Sequence, residues 1–295
     1  MAVKYFPTSS EGEFKLEKIK PITKLLTPQR STFVKPDYFD SEGNWYRLLQ
    51  DNQGLIAVKI NNSGIVSWSS SSNHDSAQVK NIVKNLISPI SLPQNATIHL
   101  PQKLLMSFRK FAPLVHISSA SIEEALFKSI IRQVITAKQA NKTIHRFVTE
   151  FGKCYEYKGF KYYGFPCVSE IVNLQTEDLI ACGLGFKAQR IKNISKSILD
   201  NGLQISSSVI ENLNTLKNLK GIGEWSARSS LCDFTGDWSV YPTDDLAVRT
   251  WAYKMWAEYP WSRNPEEFQH EWKEINGDYV SQITFYLLTV ASLLV

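Results

Sequence analysis

Apolar positions along this chain change their spacing near Pro113. Before it they cluster in short runs rich in β-branched and aromatic side chains: Trp45-Tyr-Arg-Leu-Leu49, Leu55-Ile-Ala-Val-Lys-Ile60 and Gly64-Ile-Val-Ser-Trp68. Runs of this length and composition, bounded by polar residues, predict strands. Asp51-Asn-Gln-Gly54 predicts the turn between the first two, Ser69-Ser-Ser-Ser-Ser-Asn-His-Asp75 a polar loop, and Ala96-Thr-Ile-His-Leu100 a fourth strand. One helix, from Ser76 to Leu86, is expected to pack on the sheet.

After Pro113 the helical period takes over. Ser121-Ile-Glu-Glu124 fits a capping box, and Ile122, Leu126, Ile130 and Val134 follow at helical spacing. Thr176-Glu-Asp opens a short helix that Gly183 ends, and a helix from Lys187 to Leu199 stops before Gly202. Val209, Leu213, Leu216 and Leu219 trace one more stripe, and a further helix begins after Gly223. The stretch from Tyr279 to Leu294 is apolar enough to be a buried closing helix. The pattern predicts an α+β chain: a small N-terminal β-sheet domain with a helix over residues 1–115, then a larger all-α domain over 116–295. A chain of 295 residues can bury the cores of both.

Composition narrows this only modestly. The formal net charge of +5 permits nucleic-acid binding without requiring it, and eight Trp supply stacking as well as packing surface. Cys154, Cys167, Cys182 and Cys232 lack zinc-ligand or CxxC spacing, and no cysteine follows Cys232 where an iron–sulfur loop would sit, so buried free thiols are expected. His74, His99, His116, His145 and His270 share no spacing that suggests a site. The N-terminus has no apolar signal core and no run approaches ~18 apolar residues, which predicts a soluble intracellular protein of the cytoplasm, nucleoid or nucleus, with no membrane partner and no cofactor.

Candidate chemistry concentrates in one region. Gly221 and Gly223 bracket Ile222 in the connection between two helices. Glycines allow a sharp turn with positive φ, and a turn opening a helix aims unpaired N–H groups outward, a good seat for a phosphate oxygen. Lys217, Lys220 and Arg228 add positive charge. Ile222 can plug back between the helices while the glycine amides face out. On its own, a GxG connection is more often an ordinary helix–turn–helix corner. Downstream, Pro242-Thr-Asp-Asp245 reads as a helix start, with Thr243 or Asp244 as cap and Asp245 in the first turn, where the helix dipole favours an ionised carboxylate.

Taken together, Gly221-Ile-Gly-Glu-Trp-Ser-Ala227 and Asp245, 245 − 223 = 22 residues beyond Gly223, resemble the helix-hairpin-helix DNA glycosylase superfamily, and most of all its 3-methyladenine DNA glycosylase II (AlkA-type) branch. The resemblance extends to Ser129-Ile-Ile-Arg-Gln-Val-Ile-Thr136, Gly164-Phe-Pro166 and Gly183-Leu-Gly-Phe-Lys-Ala-Gln-Arg190, with Arg132 standing where relatives often have Gly. It implies that Asp245 is catalytic and Asp244 caps the helix. Gly221, Ile222, Gly223, Lys220 and Arg228 would grip the DNA backbone. Val134 would be the wedge that fills the gap left by a flipped nucleotide, with Gln133 beside it in the minor groove.

Trp225 occupies the position of the Schiff-base lysine of bifunctional relatives, which implies hydrolysis without strand cleavage and a ring that stacks on the extruded base. By position Tyr279 and Phe285 resemble pocket aromatics of the family, with a plain core role the equal alternative for both, and Ser229 replaces a Tyr found in some relatives. Carbonyls of Lys217, Leu219 and Ile222 would hold a monovalent cation, with no dedicated metal ligand. The implied activity is excision of alkylated purines of the 3-methyladenine and 7-methylguanine type from double-stranded DNA by a monomer. Excision of oxidised or deaminated purines (8-oxoguanine, hypoxanthine) and DNA binding without catalysis are the alternatives.

Overall fold

The computed structural model describes residues 6–16, 36–40, 42–61, 63–92 and 100–291. The N-terminal part builds an antiparallel sheet from β1 (Ser10–Lys15), β2 (Tyr38–Phe39), β3 (Trp45–Gln50), β4 (Leu55–Ile60) and β5 (Ile65–Ser70), in the order β1-β5-β4-β3-β2. The three strands expected from their apolar runs are present, in the register Trp45↔Ile60 and Val58↔Trp68. The expected fourth strand falls on 96–100, of which only Leu100 lies among the described residues, in a bend.

β3 and β4 are apolar on both faces because both are covered. Trp45, Leu49, Ile56 and Val58 join the main core, while Tyr46, Leu48, Leu55 and Ala57 pack against Tyr155 and Tyr162. Those tyrosines lie on a hairpin of β8 (Cys154–Tyr157) and β9 (Phe160–Tyr163), contributed by the helical part of the chain. The Tyr155 hydroxyl bonds Ser69 Oγ at 2.8 Å and Thr8 Oγ1 at 2.9 Å, so its polar tip is satisfied where its ring is buried.

Helix α1 (Ser76–Leu86) forms where expected, started by a capping box between Asp75 and Gln78. A two-stranded pair of β6 (Ile87–Ile90) and β7 (Leu114–Ile117) encloses α2 (Gln102–Phe111). Then come α3 (Ile122–Arg132), α4 (Ala137–Phe151), α5 (Val168–Val172), α6 (Thr176–Leu179), α7 (Lys187–Asn201), α8 (Val209–Lys217), α9 (Glu224–Thr235), α10 (Leu246–Met255), α11 (Pro265–Asn276) and α12 (Val280–Ala291). Glycines end the elements as anticipated: Gly183 at φ 104° after α6 and Gly202 at φ 74° after α7. Among the described residues no helix is long and apolar enough to cross a membrane. The cysteines are free, but only Cys182 and Cys232 are buried, whereas Cys154 and Cys167 are half-buried.

Helix α3 is the hub, and two expectations about it change. Ser121 caps it through the Glu124 N–H at 3.2 Å, but the Glu124 carboxylate is not spent on a reciprocal capping bond. It turns inward to Arg47 Nη2 at 2.5 Å and Lys128 Nζ at 3.2 Å. Arg47 also holds Asp37 at 2.9 Å, and Lys128 holds Asp233 at 3.3 Å. This buried chain of charges ties β3 to α3 and α9. Burial pushes Glu124 upward, but Arg47 and Lys128 more than offset it and hold the carboxyl below its ordinary range.

The second change is at the end of α3. The helix stops at Arg132 rather than running through Val134. Lys187 Nζ takes the Ile131 carbonyl at 2.7 Å, and Thr136 caps α4, so the chain must turn in the residues between. Val134 takes φ 60° and is 89% exposed. A β-branched side chain in the left-handed region costs roughly 1–3 kcal/mol and persists only where neighbours over-determine it.

Arg47→Met should leave Asp37 and Glu124 buried without their shared partner and destabilise the fold by about 3–5 kcal/mol. Adding Glu124→Gln should recover part of that loss. Chemical denaturation of the two variants checks both; an Arg47→Met midpoint equal to wild type would contradict the role given to the network.

Candidate active site

The hairpin between α8 and α9 forms as its glycines suggest. Gly221 adopts φ 95°, Ile222 is buried with 6% exposure, and both glycines are exposed. The Ile222 N–H bonds the Leu219 carbonyl at 3.0 Å, which closes the turn and leaves that oxygen one lone pair, the kind of ligand a hard cation takes. Gly223 is the N-cap of α9 and supplies no side-chain cap, so the first N–H groups of the helix gain no acceptor from it. Lys220 is exposed. Arg228 and Lys217 instead converge on Glu224, at 2.5 Å and 3.0 Å, so these two cations are partly neutralised. Among the described residues no group of three or more His, Cys, Asp or Glu is arranged to hold a metal.

The acidic turn differs from expectation in one respect. The Asp245 N–H bonds the Pro242 carbonyl at 3.1 Å, closing a turn with Thr243 and Asp244 at its centre. Asp245, not Asp244, is therefore the residue that caps α10: its Oδ1 accepts the Ala247 N–H at 2.6 Å. Asp244 lies within the turn, its carbonyl taken by Arg249 Nε at 3.1 Å. The other oxygen of Asp245, Oδ2, accepts a short hydrogen bond from Trp225 Nε1. The residue beside the hairpin and the acidic residue thus meet directly, across 20 positions of sequence.

Burial is the largest influence on Asp245 and pushes its carboxyl above the ordinary range. The Trp225 N–H and the Ala247 and Val248 amides work against this, while Asp244 adds to it. The helix start alone therefore does not keep this group as acidic as its cap position suggested. Asp245 and Trp225 are both half-buried, and Leu246, next in sequence, is 68% exposed.

The aromatic surroundings are also reassigned. Phe285 is wholly buried on α12, tilted against Trp238 at 4.8 Å and edge-on to His116 at 6.1 Å, so it offers no surface to a ligand and is a core residue. Tyr279 sits half-buried in the turn Gly277–Tyr279. Nearer to Asp245 is Tyr241, stacked on Trp238 at 4.9 Å. Burial, then the Asp245 carboxylate, push its phenol well up, so it remains neutral beside that charge. Tyr241 has little signal in the sequence, since an aromatic just before the Pro242 turn has no periodicity of its own. Ser229 is buried on α9.

Gln133 and Val134 connect to this site from α3. Gln133 Nε2 donates to Ser226 Oγ at 2.6 Å, one residue past Trp225, and Gln133 Oε1 accepts from Arg190 Nη1 at 2.7 Å. Val134 projects beside them with its side chain in solvent. Phe186, 70% exposed just before α7, is a second large apolar surface that spacing did not single out.

A carboxyl whose folded-state pKa is raised stabilises the fold fully below the unfolded value and loses that contribution as pH rises through the folded one. At neutral pH the ionised Asp245 is thus a net cost. Asp245→Asn keeps an equally good cap and should raise the melting temperature at pH 7. Asp245→Ala loses the cap, worth about 1 kcal/mol, and should gain less or melt below wild type. Thermal unfolding at pH 7 ranks the three; Asn melting below Ala would contradict this account.

Comparison with known proteins agrees with the geometry. The model of the HhH-GPD superfamily base excision DNA repair proteins matches residues 127–276, a span that contains Gln133, Val134, the hairpin and Asp245. A DNA-3-methyladenine glycosylase of Bacillus subtilis is 27% identical over 63% of this chain and 63% of its own length. DNA-3-methyladenine glycosylase 1 of Schizosaccharomyces pombe is 30% identical over 43% of this chain and 54% of its own. The chain therefore spans less than two thirds of either relative. The solved structure of a 3-methyladenine DNA glycosylase from Archaeoglobus fulgidus has the same fold, with a TM-score of 0.69 and 24% identity over 94% of this chain and 97% of that one. With the family match covering half the chain and including both halves of the site, the protein belongs to the HhH-GPD superfamily of base excision DNA repair proteins.

Proposed function

We propose that this protein is a monofunctional DNA glycosylase that extrudes alkylated purines from duplex DNA and hydrolyses their N-glycosidic bonds. The observation that carries the reading is the pair Trp225–Asp245: a half-buried carboxylate is held by an indole N–H at the position where lyases carry a lysine. The names of the two curated relatives support the choice of alkylated purines.

A base inside a duplex is out of reach of any side chain, so it must be turned out and its place filled. Val134, rigid and exposed, would enter the gap, and Gln133 would face the base left behind. The outward N–H groups of Gly221 and Gly223, with Lys220, would hold a phosphate and fix register without reading sequence. A monovalent cation, where bound, would be held by carbonyls of Lys217, Leu219 and Ile222 and would add positive charge toward that phosphate.

With the base turned out, the C1′–N bond breaks and its electron pair leaves with the base. An alkylated, cationic purine departs neutral and needs no proton from the protein. The ionised Asp245 stabilises the positive charge that develops on the sugar and takes a proton from the water that adds to C1′. Trp225 holds that carboxylate in place, and the open part of its ring offers a cation–π surface of roughly 0.5–2 kcal/mol to a charged base. The indole has no nucleophilic nitrogen for a Schiff base, so the sugar–phosphate strand stays intact.

Duplexes bearing single 7-methylguanine, hypoxanthine or 8-oxoguanine lesions separate the alternatives. Wild type should release 7-methylguanine and leave an intact abasic strand, with no borohydride-trapped adduct. Asp245→Asn should bind the same duplex but lose most excision, about 10²-fold or more; excision at the wild-type rate would remove Asp245 from the chemistry.

The rate should also fall as pH drops through the raised Asp245 pKa, since only the ionised form acts. Trp225→Phe deletes an N–H that lowers this pKa, so its acid limb should move to higher pH. An acid limb that stays in place would show that the indole does not act on Asp245.

A further inference from the structure

Helix α7 sends two cations to the end of α3. Lys187, 3% exposed, donates to the Ile131 carbonyl at 2.7 Å, occupying an acceptor that the last turn of α3 leaves open. One turn further along α7, Arg190 Nη1 donates to Gln133 Oε1 at 2.7 Å. Because a guanidinium only donates, the Gln133 amide is oriented without ambiguity, and its nitrogen faces Ser226 Oγ at 2.6 Å. The same Arg190 side chain lies against the hairpin: a Cβ on Gly221 would come within 3.3 Å of its Cδ and Nε. Arg190 is thus shared by the turn that carries Val134 and the turn that carries the glycine amides.

We propose that Arg190 is a positioning residue that keeps the strained Val134 turn set at a fixed distance from the phosphate-binding hairpin, and so couples backbone grip to base extrusion. The proposal rests on the base-extrusion reading above. Val134 at φ 60° relaxes to an ordinary backbone unless its neighbours prevent it, and the Gln133 side chain is the last polar anchor before it. That anchor is held from two sides, by α7 through Arg190 and by α9 through Ser226. With Arg190 removed, one side of the clamp opens, and contact between α7 and Gly221 is lost with it. The turn then spends less time in the conformation that presents Val134, and the cost falls on extrusion more than on bond cleavage.

The test uses full-length protein and a duplex with 2-aminopurine beside a 7-methylguanine, whose fluorescence reports unstacking independently of excision. Wild type should raise the signal on binding. Arg190→Ala should still bind but reduce the unstacked fraction by about tenfold. Its single-turnover excision should fall by about 10–100-fold on the paired lesion and by much less when the lesion faces an abasic analogue, where extrusion is easy. Arg190→Gln, which retains a donor and most of the stem, should recover part of both signals and replaces the Ala variant if that fails to fold. Full unstacking by the Ala variant, or equal losses on paired and unpaired lesions, would overturn the proposal. A wild type that unstacks the duplex but excises nothing would remove the glycosylase reading and leave Arg190 judged by fluorescence alone. A wild type that excises the lesion without unstacking the duplex would overturn the proposal and leave the glycosylase reading standing.

Discussion

Much of this structure depends on a chain of buried charges. Arg47 on β3 bridges Asp37 and Glu124, Lys128 bridges Glu124 and Asp233, and these contacts run from the N-terminal sheet through α3 to the end of α9. Taking so many charges out of water is expensive, and the pairs do not add stability in proportion to their number. Their effect lies in what a misaligned arrangement would cost, since a shift of α3 against β3 or α9 would strand an ion in the core. Around this network, Ser129 and Ser230 let α3 and α9 come close enough for their hydroxyls to meet at 2.9 Å. The alignment of these two helices is thereby held at several levels.

That alignment matters because the candidate site is assembled from helix ends. The end of α3 carries Gln133 and Val134, the start of α9 carries the hairpin glycines and Trp225, and the start of α10 carries Asp245. Helix ends have unpaired backbone groups and short-lived register, so they need to be tied. Here the ties are polar and few: Lys187 to Ile131, Gln133 to Ser226, and Trp225 to Asp245. The last is also an electrostatic device. Burial raises the Asp245 carboxyl and the indole N–H works against that rise.

The parts of this arrangement that were legible in the sequence are those governed by neighbours in the chain. The helix expected from Ser76 to Leu86 forms there, Gly221 marks a left-handed turn, and Ile222 between glycines folds inward. The parts that misled share a different property. Val134 continues an apolar period, yet the helix ends before it because Lys187, far along the chain, takes the Ile131 carbonyl. Glu124 has the spacing of a capping box, yet its carboxylate is drawn to Arg47 and Lys128. Phe285 has the apolar neighbours of a pocket residue and is instead sealed beneath Trp238 and His116. In each case a long-range partner outcompeted a local rule.

The sequence singled out the carboxylate and the indole by family resemblance; by itself it determined the order of the main elements and the glycine-bracketed turn at Gly221 and Gly223. It did so because strand and helix periods, caps and φ > 0 positions are decided within a few residues. Only the tertiary structure decided that Asp245 is its own helix cap, that Trp225 binds it edge-on, and that Arg190 stands between the Val134 turn and the hairpin. Those relations depend on which helices lie side by side and on what each burial costs a charge. Such quantities belong to the packed chain and to no window along it.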